Sequence, residues 1–187
     1  MAESASSPET STASAKPKML VSGCLMGRSC RYDGDAAKAP AQHALRVLDD
    51  VVEWVVVCPE EAGGLPTPRP AACFVGGDGE DVLDGRATVQ AVAEGTDVTA
   101  AFIAGAEEAV RLAQRHDVDM ALLKARSPSC GCRQVHQRAA LDVDPDVQPG
   151  VGVTVAALQR QGVCVHNEEE LAALDDDVDP LSLWSDT

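Results

Sequence analysis

Short continuous apolar runs alternate along this chain with longer stretches in which apolar residues recur at helical spacing. Met19-Leu20-Val21, Trp54-Val55-Val56-Val57 and Met120-Ala121-Leu122-Leu123 have the length and Val/Leu content of strands buried on both faces of a parallel sheet. Strands are predicted at about Lys18–Gly23, Val51–Val57, Asp119–Lys124 and Val163–Val165. Between them, a helix is predicted from near Pro40, a residue suited to a first turn, with Ala44, Leu45, Val47 and Leu48 on its buried face. Asp97-Val98-Thr99 opens a second helix to about His116, with Phe102, Ile103, Ala106, Ala109, Val110 and Ala113 at helical spacing. A third spans about Val151–Gln161 before Gly162, and a short one covers Glu168–Leu174. The alternation predicts an α/β domain with a mostly parallel sheet sandwiched by helices, a Rossmann-like three-layer arrangement.

Other segments lack such periodicity. Residues 59–70 carry four prolines and two glycines, which argues for a loop of fixed course without regular structure. Residues 76–95 combine Gly-Gly-Asp-Gly and Asp84-Gly85 turn signals with an alternating Thr88–Ala93 segment, as in a small hairpin. Residues 133–150 are polar and turn-rich and are predicted to be loop. The Ser/Ala/Thr-rich residues 1–17 are expected to form a disordered extension. The remainder divides into a single domain over 18–166 and, over 167–187, a short helix with a solvated acidic tail.

A length of 187 residues suffices for one domain with a sizeable core, built mainly from Val, Leu and Ala because only 3% of residues are aromatic. The formal net charge of −15 argues against a structured nucleic acid as partner, while leaving a single nucleobase open. A surface adapted to high salt explains the acidity equally well. No stretch approaches the length of a membrane span, and the first 18 residues lack the apolar core of a secretory signal. With seven cysteines, an odd number, a reducing cytoplasm is expected, where clustered thiols serve metal or redox chemistry rather than disulfides.

Three of those cysteines stand at or just beyond an apolar run. Cys24 follows the first strand, Cys58 the second, and Cys130 the third through Ala125-Arg126-Ser127-Pro128-Ser129. In open α/β sheets the reactive crevice lies outside the carboxyl ends of the strands, so thiols from three strands can converge there. Thiolates favour zinc or iron–sulfur clusters over hard cations. The separations of 34 and 72 residues, without a C-x-x-C pair, differ from a closed structural zinc site and fit a fold-assembled cluster with one iron left open. The alternative for each cysteine alone is a small buried hydrophobe. Small residues around Cys130 also suggest a turn whose N–H groups stabilise anions, or an ordinary strand-to-loop turn.

Longer motifs then become recognisable. Val21-Ser22-Gly23-Cys24-Leu25-Met26-Gly27 with Arg31-Tyr32-Asp33-Gly34 is followed by Val57-Cys58-Pro59-Glu60 with Gly63-Gly64-Leu65-Pro66-Thr67-Pro68-Arg69. Gly76–Val82, Lys124-Ala125-Arg126-Ser127-Pro128-Ser129-Cys130-Gly131 and Pro149-Gly150-Val151-Gly152-Val153-Thr154 come after them. Together, over about Lys18 to Val165, they resemble the domain-of-unknown-function family 523, which includes the iron–sulfur-dependent thiouracil desulfidases. The resemblance implies a [4Fe–4S] cluster held by Cys24, Cys58 and Cys130. It implies hydrolytic removal of sulfur from a small-molecule thiolated pyrimidine, with hydrosulfide released and no net redox change.

Glu60, two residues after Cys58, is the first candidate general acid/base, against a solvated loop carboxylate. Ser127 is the second, as proton relay or substrate anchor, against a capping hydroxyl. Asp33 and Arg69 either shape the pocket or form loop salt bridges. Cys30 and Cys132 are read as spare thiols near the pocket mouth; the alternative is that one closes the fourth iron. Cys73 and Cys164 are read as buried hydrophobes, and none of the four histidines takes a metal-ligand spacing. The competing functions are a non-catalytic iron–sulfur or zinc protein, such as a redox sensor or sulfide carrier, and a cluster-free cysteine sulfurtransferase. The oligomeric state is left open.

Overall fold

A computed structural model describes residues 16–37, 42–138, 143–175 and 177–185; residues 1–15 of the extension expected over 1–17, and the helix start near Pro40, lie outside them. Four strands form an all-parallel sheet: β1 (Lys18–Ser22), β2 (Glu53–Val57), β5 (Met120–Leu123) and β8 (Cys164–Asn167), in the order β2-β1-β5-β8. Alternate side chains serve opposite layers, as strand geometry requires. Leu20, Val55, Ala121 and Leu123 pack with Ala109 and Ala113 of α4 (Thr99–His116) and Val155 and Leu158 of α5 (Val153–Gln159). Met19, Val21 and Leu122 pack on the other face with Leu45 and Leu48 of α1 (Gln42–Val51), Leu171 of α6 (Glu168–Ala172), and Trp184. The expected mostly parallel sheet between helical layers is thus present. Leu171 anchors the expected short helix in the core, and Trp184 is buried there too, so the tail expected to be solvated is anchored at that point.

A second sheet was not anticipated. Its strands are β3 (Ala72–Val75), β4 (Thr88–Ala91), β6 (Gln134–Arg138) and β7 (Asp146–Pro149), in the order β4-β3-β6-β7, with only β3 and β6 parallel. The segment read as loop over 133–150 therefore contains two strands. The Thr88–Ala93 segment pairs with β3, across the short helix α3 (Gly79–Leu83). Phe74, Val89 and Val135 of this sheet pack against Phe102 and Ala106 of α4, so the one 18-residue helix joins both cores. Residues 59–70 also hold regular structure, a one-turn helix α2 (Pro59–Ala62). Proline is no obstacle there because it occupies the first turn, where its missing N–H has no partner to lose. Among the described residues no helix is long and apolar enough to cross a membrane.

Candidate active site

β1, β2 and β5 are neighbours and run parallel, so their carboxyl ends open on one edge of the sheet. β1 passes directly into a 3-10 turn, Gly23–Met26, that carries Cys24. β2 ends at Val57, and Cys58 is the residue that caps α2. β5 ends at Leu123, and the chain returns through Ser127 to Cys130. All three cysteines line one cavity of 470 Å³, with Cys30, Glu60, Arg69, Lys124, Ser127 and His136 also in its wall.

Two close approaches set the loops that carry Cys58 and Cys130. Gly105 of α4 lies so near Pro59 that a Cβ there would sit 1.9 Å from the Pro59 carbonyl oxygen. Gly152, before α5, would place a Cβ 2.2 Å from the Ser129 carbonyl oxygen. Only glycine allows a helix to press this closely on the backbone of a neighbouring loop.

The thiols are buried together. Cys24, Cys30 and Cys130 are 7%, 3% and 5% exposed. Cys30 stands within hydrogen-bonding reach of both Cys24 and Cys58, and its contact with Cys24, more than burial, pushes its thiol up to about 11. Contact with Cys30, then burial, raises Cys58 strongly; its Sγ donates to the Cys30 carbonyl at 3.5 Å. Burial raises Cys130 to about 12, with hydrogen bonds to Ser22 and Ser129 acting the other way. A thiol so placed becomes a thiolate when a cation replaces its proton.

Glu60 and Arg69 are paired, Arg69 Nε donating to Glu60 Oε2 at 2.7 Å. The arginine side chain is only 4% exposed. Its other nitrogens donate to the carbonyls of Pro66 and Cys30 and to Thr67 Oγ1. Arg69 is therefore both a loop clamp and a wall of the cavity. Asp33 pairs with Arg31 and does not line the cavity. Ser127 Oγ accepts from the backbone N–H of Ser129 at 3.1 Å and Cys130 at 3.2 Å, while Gly131 N–H bonds to the Ser127 carbonyl. Those amides are thus engaged within the turn rather than free to bind an anion. In these contacts the hydroxyl only accepts, and it lines the cavity with its own proton still to donate among the described residues.

Cys30 is not at the pocket mouth but inside the wall, between two of the strand-end cysteines. Cys132 is elsewhere: it is absent from the cavity wall and belongs to the core beside α4 and α5. Its Sγ receives a hydrogen bond from Asn167 Nδ2 at 3.1 Å and contacts Glu170. Cys73 is fully buried and Cys164 half-buried.

Three cavity features were not singled out from the sequence. Lys124 Nζ bonds to the buried Glu168, whose second oxygen accepts from Ala125 N–H at 2.7 Å. This ties the end of β8 to the start of the Cys130 loop. Arg126 holds a left-handed backbone (φ 62°), a costly conformation for a side chain of this size. His136, on β6, is kept below its ordinary value first by desolvation and then by Arg126. The Lys124–Glu168 pair spans 44 residues, and His136 lay in a segment read as loop. Lys124 and Arg126 gave a signal, both standing in the Cys130 motif.

The sequence pattern described as 2-thiouracil desulfurase matches residues 19–170. An uncharacterized protein of Bacillus subtilis (strain 168), YbbK, is 39% identical over 153 residues, which is 82% of this chain and 97% of that protein. Among solved structures, a "[4Fe-4S]-dependent thiouracil desulfidase TudS" superposes with a TM-score of 0.67 at 37% identity, covering 83% of this chain and 93% of its own. The chain belongs to the 2-thiouracil desulfurase family.

Proposed function

We propose that this protein is a [4Fe–4S]-dependent desulfidase that hydrolytically removes sulfur from a thiolated pyrimidine such as thiouracil and releases hydrosulfide. The observation that carries the reading is the meeting of Cys24, Cys58 and Cys130 in one cavity with Glu60 and Ser127. The donor set fits the cofactor: two buried thiols and the half-buried Cys58, from three strand ends with space in front of them, suit a soft cluster and leave a position for substrate. When bound, such a cluster supplies a Lewis-acidic iron for the thiocarbonyl sulfur.

The chain's own residues do the rest. Cys24, Cys58 and Cys130 would hold the cluster in the cavity. Glu60, oriented by Arg69, takes a proton from the water that attacks the carbon bearing sulfur and returns one as the sulfur departs. Ser127, its oxygen engaged with two amides, directs its hydroxyl proton to the pyrimidine ring. Water replaces sulfur on carbon, a carbonyl and hydrosulfide result, and no electrons are exchanged.

The test is the iron and acid-labile sulfide content of anaerobically purified protein, followed by addition of a thiouracil under near-ultraviolet observation. About four irons per chain and decay of the thiocarbonyl band are expected. Substituting Cys24, Cys58 or Cys130 with Ala should remove both iron and turnover. Iron-free protein, or full turnover by any of the three variants, overturns the reading.

A further inference from the structure

Cys30, Cys58 and Glu61 bring one ligand atom each to within 4.8 Å of one another. Two of these residues stand outside the set expected to hold a cluster. We propose that Cys30, Cys58 and Glu61 form a binding site for a single thiophilic divalent cation of the zinc class, distinct from the three-cysteine site and sharing only Cys58 with it.

The spacing argues for one ion. Zinc–sulfur bonds of about 2.3 Å in a tetrahedron place ligand sulfurs about 3.8 Å apart, so a small contraction of these three groups closes around an ion. Two thiolates with a carboxylate select a borderline-soft metal and reject magnesium or calcium, which require shells of oxygen. The three protein ligands leave the fourth tetrahedral position to water.

The donors are also supported from behind. The loop after the Gly23–Met26 turn folds back over the end of β1, and a Cβ on Gly23 would lie 3.4 Å from Cys30 Sγ. Arg69 Nη2 fixes the Cys30 carbonyl at 3.0 Å. Glu61 stands three residues after Cys58, so α2 presents both from one end. Its carboxylate is oriented by Thr67 Oγ1 at 2.9 Å and Arg28 at 3.3 Å. Outer contacts of this kind tune metal affinity. Two guanidinium groups stand beside the site: Arg28 is paired with Glu61 itself and Arg69 is compensated by Glu60.

Because Cys58 cannot serve both, a bound ion would exclude the cluster; this consequence alone rests on the proposed function.

The experiment is an anaerobic titration of reduced, metal-free protein with Co²⁺ as the probe. Its thiolate charge-transfer and tetrahedral ligand-field bands report the donors directly. One Co²⁺ per chain is expected, displaced by Zn²⁺. C30A should lose more than about 100-fold in affinity, beyond the effect of an outer-shell change. E61Q should lose about tenfold or more, and C130A should bind like the original chain. Equal binding by C30A and the original chain, or a loss in C130A as large as in C30A, assigns the ion to the strand-end cysteines and overturns the proposal. Circular dichroism confirms that each variant is folded, and E61Q decides the matter should C30A not be. Iron uptake after preloading with Zn²⁺ should fail in the original chain and proceed in C30A. If neither takes up iron without zinc, the cluster reading fails while the cobalt result stands.

Discussion

Replacing Gly152 with Ala tests how the Cys130 loop is held. The added Cβ would lie 2.2 Å from the Ser129 carbonyl oxygen and 2.8 Å from Cys130 N, against an ordinary contact of at least 3.4 Å. The loop and the start of α5 must then separate by about 1.2 Å, since repulsion at such range is steep. Three backbone bonds cross this junction: Gly152 N to Gly131 O at 2.7 Å, Val153 N to Pro128 O at 3.0 Å, and Thr154 N to Ser129 O at 3.0 Å. At about 1 kcal/mol each, with about 1–3 kcal/mol for overpacking, the cost is roughly 4–6 kcal/mol. For a chain of this size that lowers the melting temperature by roughly 10–20 °C. A melt followed by circular dichroism measures the first effect and iron content after anaerobic reconstitution the second, with both expected to fall. A variant that melts within a few degrees of the original and keeps its iron would show that this contact does not position Cys130.

Three further outcomes follow from the site. E60Q should keep its iron but lose about 10²–10⁴-fold in turnover, the range for a general acid/base; turnover within a factor of a few would remove Glu60 from proton transfer. E168Q leaves Lys124 without its buried partner. A loss of about 3 kcal/mol is expected, at the low end for a buried pair because the Lys124 side chain is 20% exposed, read as a lower urea midpoint. Metal-free protein should lose stability as pH rises above about 9. Cys30, Cys130 and Cys132 hold their protons to about 11, 12 and 12 in the folded chain, against an ordinary 9.0. The unfolded chain releases these protons first, so stability present below pH 9 falls by about 1.4 kcal/mol per thiol per pH unit. Urea midpoints at pH 8 and 10.5, with chelator and reductant, measure this, and a midpoint that rises with pH refutes it.

The parallel sheet was legible because its central strands, β1 and β5, are buried on both faces and write themselves as unbroken runs, as Leu20-Val21 and Leu122-Leu123 do. Burial on one face leaves a weaker mark. In Gln134-Val135-His136-Gln137-Arg138 only Val135 supplies buried apolar surface. The edge strand β7 carries Asp146 and Pro149, residues tolerated at an edge and nearly indistinguishable from loop. Pairing across the second sheet, rather than any local preference, makes these segments strands. The convergence of Cys24, Cys58 and Cys130 followed from topology, since adjacent parallel strands share a carboxyl edge. The position of Cys30 did not, because its neighbours are chosen by a loop folding back over Gly23.

The three strand-end cysteines are not supported alike. Cys24 rides on the turn that continues β1 directly, so its place is set by the sheet. Cys58 and Cys130 sit on loops pressed by α4 at Gly105 and by α5 at Gly152. These two helices pack against one another and build the core on one face of the sheet. A change that shifts them, such as enlarging Ala109, moves two ligands together and leaves the third in place. The triangle of thiols would then be distorted on one side while the parallel sheet keeps its register. Metal retention should therefore respond to repacking of the α4–α5 layer more steeply than to equal-sized changes under α1. Leu45 and Leu48 lie in the opposite core, which contains Cys24 and is bordered by Cys58, while Cys130 belongs to the α4–α5 core, so truncating them lowers stability and leaves the Cys130 side of the triangle in place.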